Sequence, residues 1–249
     1  MDENIAGSAS ITVSQGQQRK LPRLLALLGS RLILFLLFQC LIALVLRSWS
    51  MSEGYWLVAA TLTNLVSIAI LFYLFRSEGR SYLSLFRFDR QTFRKDIKVF
   101  ILLALLTGPV ALGPNYLLSK WLWTDPAIPY ELMFRPVESW LAIIMLLAFP
   151  VTIALAELAT YFGYIMPRLK EEMSSAWPTV VLPVLFLSLQ HITLPFIPDL
   201  KFILYRGLVF LPFAALIGIA LYRRPTLFPY FAILHGVMDL GTAVIFLTL

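Results

Sequence analysis

The sequence predicts an all-α, polytopic transmembrane helix bundle with about seven spans and its N-terminus inside. Of the 249 residues, 59% are hydrophobic, and the mean hydropathy is +0.82. Only 14% are charged, whereas an average soluble domain has about 25%. This composition leaves too little polar surface for a soluble globule, so it excludes a cytosolic enzyme, a nucleic-acid-binding domain and a disordered chain. The lipid bilayer is therefore an expected partner and nucleic acid is not.

Seven apolar runs follow one another along the chain, and a spanning helix needs about 20 such residues. The predicted spans are 24–46, 54–75, 99–119, 139–167, 177–196, 202–222 and 225–249. The pairs Gly108-Pro109 and Gly113-Pro114 predict a break or kink in the third span. A polar segment, 1–22, precedes the first span and is expected to be a disordered tail.

The basic residues predict the orientation. With the N-terminus inside, 15 of the 20 basic residues fall on the inner side, Arg31 among them. This bias is typical of cytoplasmic loops. The other five are Arg47, Lys120, Arg135, Lys201 and Arg206. Of these, Arg206 is interpreted as a side chain that extends from its span to the outer face.

The chain divides into two membrane regions. The first three spans form an N-terminal region, 23–137, with a basic inner loop at 76–98. Within and beside that loop, Tyr82–Lys98 is either an amphipathic segment on the inner membrane face or a solvated loop, and the pattern favours neither. The last four spans, 138–249, contain the candidate catalytic core.

Four ionisable side chains inside the predicted spans are candidates for chemistry. Glu157, His191, His235 and Asp239 come from three different spans, and each is predicted to lie roughly 15–20 Å deep at 1.5 Å per residue. Such groups cost about 2.5–3.5 kcal/mol each at membrane depth on insertion scales, so they default to functional residues. His235 and Asp239 are spaced i, i+4 and therefore share one helix face.

The chemistry open to these groups is limited. A carboxylate and an imidazole can hold a water molecule and take its proton, as Glu157 and His191 would. A second imidazole, His235 oriented by Asp239, can donate to a developing oxyanion. The same groups could instead relay protons, or Glu157, His191 and His235 could bind one metal ion. The metal site is not favoured, so no cofactor is expected.

Three segments resemble motifs of a known family. They are Glu157-Leu-Ala-Thr-Tyr-Phe162, Leu187-Ser-Leu-Gln-His191 and His235-Gly-Val-Met-Asp239. They are similar to the Glu-Glu-xxx-Arg, Phe-xxx-His and His-xxx-Asn/Asp motifs of the CPBP family of intramembrane proteases. That family includes the type II CAAX prenyl endopeptidases, bacteriocin-processing or immunity proteins and abortive-infection-like membrane proteins. The resemblance covers about residues 138–245 and implies that Glu157, His191, His235 and Asp239 are catalytic.

The first motif departs from the family pattern at two positions. Leu158 stands where the family has its second Glu, and Phe162 stands where it has its Arg. Because both are lost together, no unpaired buried charge remains. The catalytic set survives if the first Glu suffices, whereas the chain is an inactive relative if the second Glu is required.

The expected function is that of an intramembrane endopeptidase that hydrolyses a peptide bond with a water molecule activated by Glu and His. Its substrate would be a membrane-associated peptide or protein. Two alternatives stay open: a catalytically silent member of the same fold that acts in binding or immunity, and a small transporter or proton relay. The resemblance implies a multi-pass protein of the bacterial cell membrane.

Overall fold

The computed structural model describes residues 20–249, and 84% of these residues are helical while none lies in a strand. Eleven α-helices are named here in chain order. They are α1 (Lys20–Leu46), α2 (Trp49–Gly54), α3 (Trp56–Ser77), α4 (Phe93–Trp123), α5 (Ile128–Met133), α6 (Ser139–Leu158), α7 (Met166–Glu172), α8 (Ala176–Leu189), α9 (Leu200–Val209), α10 (Leu211–Arg223) and α11 (Phe228–Ile245). A π-helical segment, Ala159–Ile165, joins α6 to α7, and a 3₁₀ turn, Gln190–Thr193, ends α8. The all-α prediction is confirmed.

Seven helical stretches in the described residues are long and apolar enough to cross a membrane, and they agree with the seven predicted spans. The stretches are Leu21–Leu46, Trp56–Ser77, Phe93–Trp123, Ser139–Glu172, Ala176–Thr193, Leu200–Arg223 and Pro225–Ile245. The chain is therefore an integral, multi-pass membrane protein. The inside position of the N-terminus stays a prediction.

Three segments of the chain differ from the sequence-based expectations. The predicted tail, 1–22, lies outside the described residues except for its last three, which belong to α1. Pro22 is compatible with this early start because the first turn of a helix needs no proline N–H. Pro109 and Pro114 do not break the third span but lie inside the continuous helix α4. Tyr82–Lys98 contains a 3₁₀ turn, Tyr82–Phe86, and the start of α4, and whether the segment lies on the membrane face or is solvated stays a prediction.

Two apolar clusters are stacked along the bundle, and a polar layer separates them. On α1, Leu28 belongs to the first cluster and Phe35 to the second, with Arg31 between them. On α6, Leu158 begins the first cluster and Ile153 belongs to the second, with Glu157 between them. The same order recurs on α3 and α11. The candidate site therefore lies where both apolar cores stop.

A close approach of α6 and α11 brings two of the candidate side chains together. A Cβ added at Gly236 would lie 3.0 Å from the Ala154 Cβ and 3.2 Å from the Pro150 carbonyl oxygen. A residue larger than glycine would therefore push the two helices apart. Gly236 directly follows His235, so this contact sets how near the imidazole comes to α6.

Candidate functional site

Glu157 is the centre of the polar layer. It lies one residue before the end of α6, and only 2% of the residue is exposed. The π-helical segment Ala159–Ile165 begins two residues later. Single π-turns inside α-helices occur frequently at functional sites, because the extra residue per turn redirects side chains. Here the segment places the Tyr161 hydroxyl 3.3 Å from Gln190 Oε1.

One oxygen of the Glu157 carboxylate is held by protein donors. Gln190 Nε2 donates to Glu157 Oε2 at 2.8 Å. Arg31 Nη2 lies 3.6 Å from the same oxygen, and Arg31 Nε donates to Gln190 Oε1 at 2.8 Å. Arg31 therefore acts on the carboxylate directly through charge and indirectly through the amide of Gln190.

Arg31 is completely buried, and each of its three nitrogens has a polar side-chain partner. Its Nη2 donates to Asn64 Oδ1 at 2.9 Å, and its Nη1 donates to Ser67 Oγ at 3.1 Å. A guanidinium removed from water needs such partners, because the desolvation cost is several kcal/mol per ion. The sequence-based assignment of Arg31 to the inner face is thus wrong. The residue joins α1, α3, α6 and the 3₁₀ turn after α8.

The other oxygen of Glu157 meets His235. Glu157 Oε1 and His235 Nε2 are 3.0 Å apart, and the same nitrogen is 3.6 Å from Asp239 Oδ2. Neither Glu157 Oε1 nor either ring nitrogen of His235 makes a hydrogen bond of good geometry within residues 20–249. Buried polar atoms are normally hydrogen-bonded. This side of the carboxylate thus keeps hydrogen-bonding capacity for another molecule.

His191 is fixed by its own helix. Its Nδ1 lies 2.9 Å from the Leu187 carbonyl oxygen, and its ring stacks on Phe210 with 3.9 Å between centroids. A carbonyl oxygen only accepts, so we assign the proton to Nδ1, and Nε2 is then the basic nitrogen of a neutral imidazole. His191 can therefore accept a proton or a hydrogen bond at Nε2.

All four predicted site residues line one cavity of about 340 Å³. Glu157, His191, His235 and Asp239 lie on its wall together with apolar side chains such as Phe149 and Phe213. The cavity extends to Tyr130 and Met133 on the segment that follows α4. Since α4 is 31 residues long, this end lies roughly 45 Å from the basic loop at 1.5 Å per residue.

Arg206 also lines this cavity, which corrects the sequence-based interpretation. Only 4% of the residue is exposed, so it does not extend to a membrane surface. Its Nε donates to the His191 carbonyl oxygen at 3.2 Å, and its Nη2 donates to the Leu194 carbonyl oxygen. These two carbonyls, in and just after the 3₁₀ turn that ends α8, hold the guanidinium inside the bundle.

Leu158 and Phe162 lie in the first apolar cluster, buried at 0% and 3% exposure. Gly218 on α10 makes room for Phe162, because an added Cβ there would lie 3.1 Å from its ring. The two positions thus contribute packing to this apolar cluster. Arg31 supplies the only guanidinium that ion-pairs with Glu157 among residues 20–249.

The spacing of the donor side chains bears on the metal site considered from the sequence. Within the described part of the chain, no three His, Cys, Asp or Glu side chains gather closely enough to hold one metal ion. Glu157, His191 and His235 share the cavity wall, but as a set of three they do not meet this condition.

Sequence reasoning missed two residues that contact Glu157. Gln190 precedes the candidate His191 and carries no charge, so nothing in the sequence set it apart. Arg31 did give a signal, since it is the one charged residue in the predicted span 24–46. A charged side chain inside a membrane span is a functional candidate by default and pairs with another polar group. By that criterion Arg31 is a candidate site residue, as Glu157 is.

Comparison of the chain with family models, with curated proteins and with solved structures found no match. The function is therefore argued from the geometry of the site and from the motif resemblance alone.

Proposed function

We propose that this protein is an intramembrane endopeptidase that hydrolyses a peptide bond with an activated water molecule. The observation that carries the proposal is the contact between Glu157 Oε1 and His235 Nε2, 3.0 Å apart on the cavity wall. A carboxylate and an imidazole at this distance, with hydrogen-bonding capacity left over, are the groups that general acid–base hydrolysis requires. The resemblance of these segments to the CPBP motifs supports the same chemistry and a bacterial cell membrane.

The roles follow from the contacts. Glu157 Oε1 takes a proton from a water molecule, and His191 Nε2 accepts a hydrogen bond from the second O–H of that water and so orients the oxygen. The water oxygen attacks the carbonyl carbon of the peptide bond. His235, placed between two carboxylates, donates a hydrogen bond to the oxyanion that forms. Glu157 then returns its proton to the amide nitrogen, the C–N bond breaks, and a carboxylic acid and an amine form. The acid passes the second proton of the water molecule to the amine, so that a carboxylate and an ammonium group leave.

The direct test is a cleavage assay in proteoliposomes with a library of apolar fluorogenic peptides. The variant Glu157→Gln is expected to lower kcat roughly 10²- to 10⁴-fold, the usual contribution of a general base. His235→Gln should lower kcat roughly 10²- to 10³-fold, the usual contribution of one oxyanion donor. Glu131→Gln is the matched control, since Glu131 is an exposed carboxylate on α5 that does not line the cavity. Equal rates for wild type and Glu157→Gln would refute the proposal.

A second candidate is a catalytically silent membrane protein that binds a peptide in the same cavity. The observation that favours it is the pairing of Glu157 Oε2 with Arg31 and Gln190. A carboxylate whose charge is compensated by a nearby cation and a hydrogen-bond donor is a weaker base. This candidate predicts peptide binding without turnover. The assay separates the two, since a silent protein would retain peptides that it never cleaves.

A further inference from the structure

Arg206 is a buried cation without a carboxylate partner. None of the ion pairs among the described residues involves it. Its Nε and Nη2 donate to two backbone carbonyls, and its guanidinium carbon lies 5.0 Å from the centre of the Phe210 ring. Its Nη1 makes no hydrogen bond with any residue of the range 20–249. Since a guanidinium carries five N–H donors, part of its donor capacity is unused.

The surroundings of Arg206 differ from those of the other guanidinium group beside the site, Arg31. Both guanidinium groups are buried in the same bundle, but Arg31 has Glu157, Asn64, Ser67 and Gln190 around it. Arg206 has two carbonyls, an aromatic ring and the cavity. Carbonyls at a helix end stabilise a cation, but they do not neutralise it. A buried cation that faces a cavity is therefore a site for an anion.

We propose that Arg206 is the anion subsite of the cavity and binds a carboxylate of the peptide substrate. The assignment deepens the proposed function and rests on it for the peptide. The remaining wall selects an apolar segment, because Phe149, Phe210 and Phe213 contribute to it. A volume of about 340 Å³ is at the lower end of the range of small-ligand pockets, about 300–1,000 Å³, so it suits a few residues of an extended peptide.

Two sources supply the same carboxylate chemistry: the C-terminus of the peptide and an Asp or Glu side chain near the bond that is cut. Both would place one negative charge beside Arg206 and the peptide bond beside Glu157. A charge-assisted hydrogen bond to a guanidinium is strong and often bidentate, so it fixes the position of the peptide as well as its affinity.

The experiment compares peptides first, so that its first readout does not depend on a change at Arg206. Four fluorescent peptides are built on one apolar sequence. The first has a free C-terminus and the second has a C-terminal amide. The third and fourth are also C-terminal amides and contain one internal Glu or one internal Gln. Binding to full-length protein carrying Glu157→Gln, which should not consume them, is measured by anisotropy in nanodiscs. A bound carboxylate should improve Kd roughly 10- to 100-fold, the effect of one hydrogen bond to a charged group.

The position of the preference identifies the source. Tighter binding of the peptide with a free C-terminus than of its C-terminal amide identifies the C-terminus as the source. Tighter binding of the Glu peptide than of the Gln peptide identifies an internal acidic residue. Equal affinity for all four peptides overturns the proposal. Adding Arg206→Gln should abolish the preference and Arg206→Lys should retain part of it, whereas a preference that survives Arg206→Gln also overturns the proposal.

Arg135→Gln is the matched control. Arg135 pairs with Glu53 at 2.8 Å and does not line the cavity, so this change should leave the acid preference intact. The anion subsite and the peptidase can fail separately. If carboxylate peptides bind more tightly but the wild type cleaves none of them, the anion subsite is retained and the peptidase proposal is rejected. If carboxylate and amide peptides are cleaved at equal kcat/KM, the peptidase proposal is retained and the anion subsite is rejected.

Discussion

The two oxygens of the Glu157 carboxylate lie in contrasting surroundings. Oε2 faces a closed side, where Gln190 donates to it and Arg31 is held by Asn64 and Ser67. Oε1 faces an open side, with His235 3.0 Å away and the cavity beyond it. The closed side fixes the carboxylate and compensates its charge, while the open side keeps polar atoms for a reacting molecule. One residue can thus be both a structural ion-pair partner and a candidate catalytic group.

The largest effect should come from breaking the closed side. We expect Arg31→Met to lower the free energy of unfolding by about 3–5 kcal/mol, because it leaves the buried Glu157 carboxylate without its cation. Thermal unfolding in detergent measures the loss. Arg23→Met is the matched control, since Arg23 lies on the same helix α1 but is exposed.

A double-mutant cycle sharpens this test. If Arg31 and Glu157 stabilise each other, Arg31→Met combined with Glu157→Gln should cost less than the sum of the single changes. Additive losses would mean that the 3.6 Å pair contributes no coupling energy.

The next largest effect concerns the position after Glu157. Leu158→Glu should cost about 2–4 kcal/mol even if the new carboxyl stays protonated, because this side chain is fully buried in an apolar cluster. Arg31 reaches position 157 and not 158. Adding Phe162→Arg should recover part of the loss through an i, i+4 pair.

The recovery should be incomplete, since the π-helical segment that contains Phe162 shifts the two positions out of ideal α-helical register. Strictly additive losses in thermal stability would show that positions 158 and 162 are not coupled.

A smaller change should disturb only the open side. Gly236→Ala places a methyl group 3.0 Å from Ala154 Cβ, so α11 must move away from α6 and carry His235 from Glu157. We expect a loss of about 1–3 kcal/mol in stability and at least a roughly 10-fold loss in kcat from the misplacement.

Gly241→Ala on the same helix is the control. Nothing lies within 4 Å of a Cβ added there, so the change should be neutral or stabilise by about 0.5–1 kcal/mol, the helix propensity gain of alanine. Equal effects of the two substitutions on kcat would contradict the close-approach argument.

The smallest effect comes from a partly exposed pair at the basic end of the bundle. Glu78 accepts hydrogen bonds from Arg168 Nε at 3.0 Å and from the Tyr164 hydroxyl at 2.7 Å. Burial raises the pKa of the Glu78 carboxyl, but these hydrogen bonds and the charge of Arg168 outweigh burial, so the pKa lies below its ordinary value. The side chain is 33% exposed, so we expect at most about 1 kcal/mol from the pair.

The sign of the pH dependence follows from the lowered pKa. The ionised carboxyl contributes its full stability above the unfolded pKa of about 4.3, and this contribution is lost as the pH falls through the lower folded pKa. The stability difference between wild type and Glu78→Gln should therefore be constant from about pH 8 to pH 5 and shrink below about pH 4.3. A difference that grows on acidification would show the opposite linkage. The buried Arg31–Glu157 pair should give the larger mutational effect at every pH in this range.

Composition and charge spacing by themselves determined the class of this protein. A mean hydropathy of +0.82 and seven long apolar runs require lipid as solvent, and lipid requires helices that satisfy their own backbone. The same logic selected Glu157, His191, His235 and Asp239, because polar groups in such runs are costly unless they have partners. The structure places all four on the wall of one cavity, and their catalytic role stays a prediction.

Only the tertiary structure decided which polar group meets which. Arg31 and Arg206 look alike in the sequence, each a single charge in an apolar span, yet one ion-pairs with Glu157 and the other faces a cavity. The π-helical segment, the close approach at Gly236 and the donor Gln190 have no signature in periodicity or charge. They depend on how helices far apart in sequence pack, and side-chain packing is set by contacts between helices rather than within one. The sequence therefore names four members of the polar layer, whereas the places of Arg31 and Gln190 in it, and the pairing of all six, follow only from the fold.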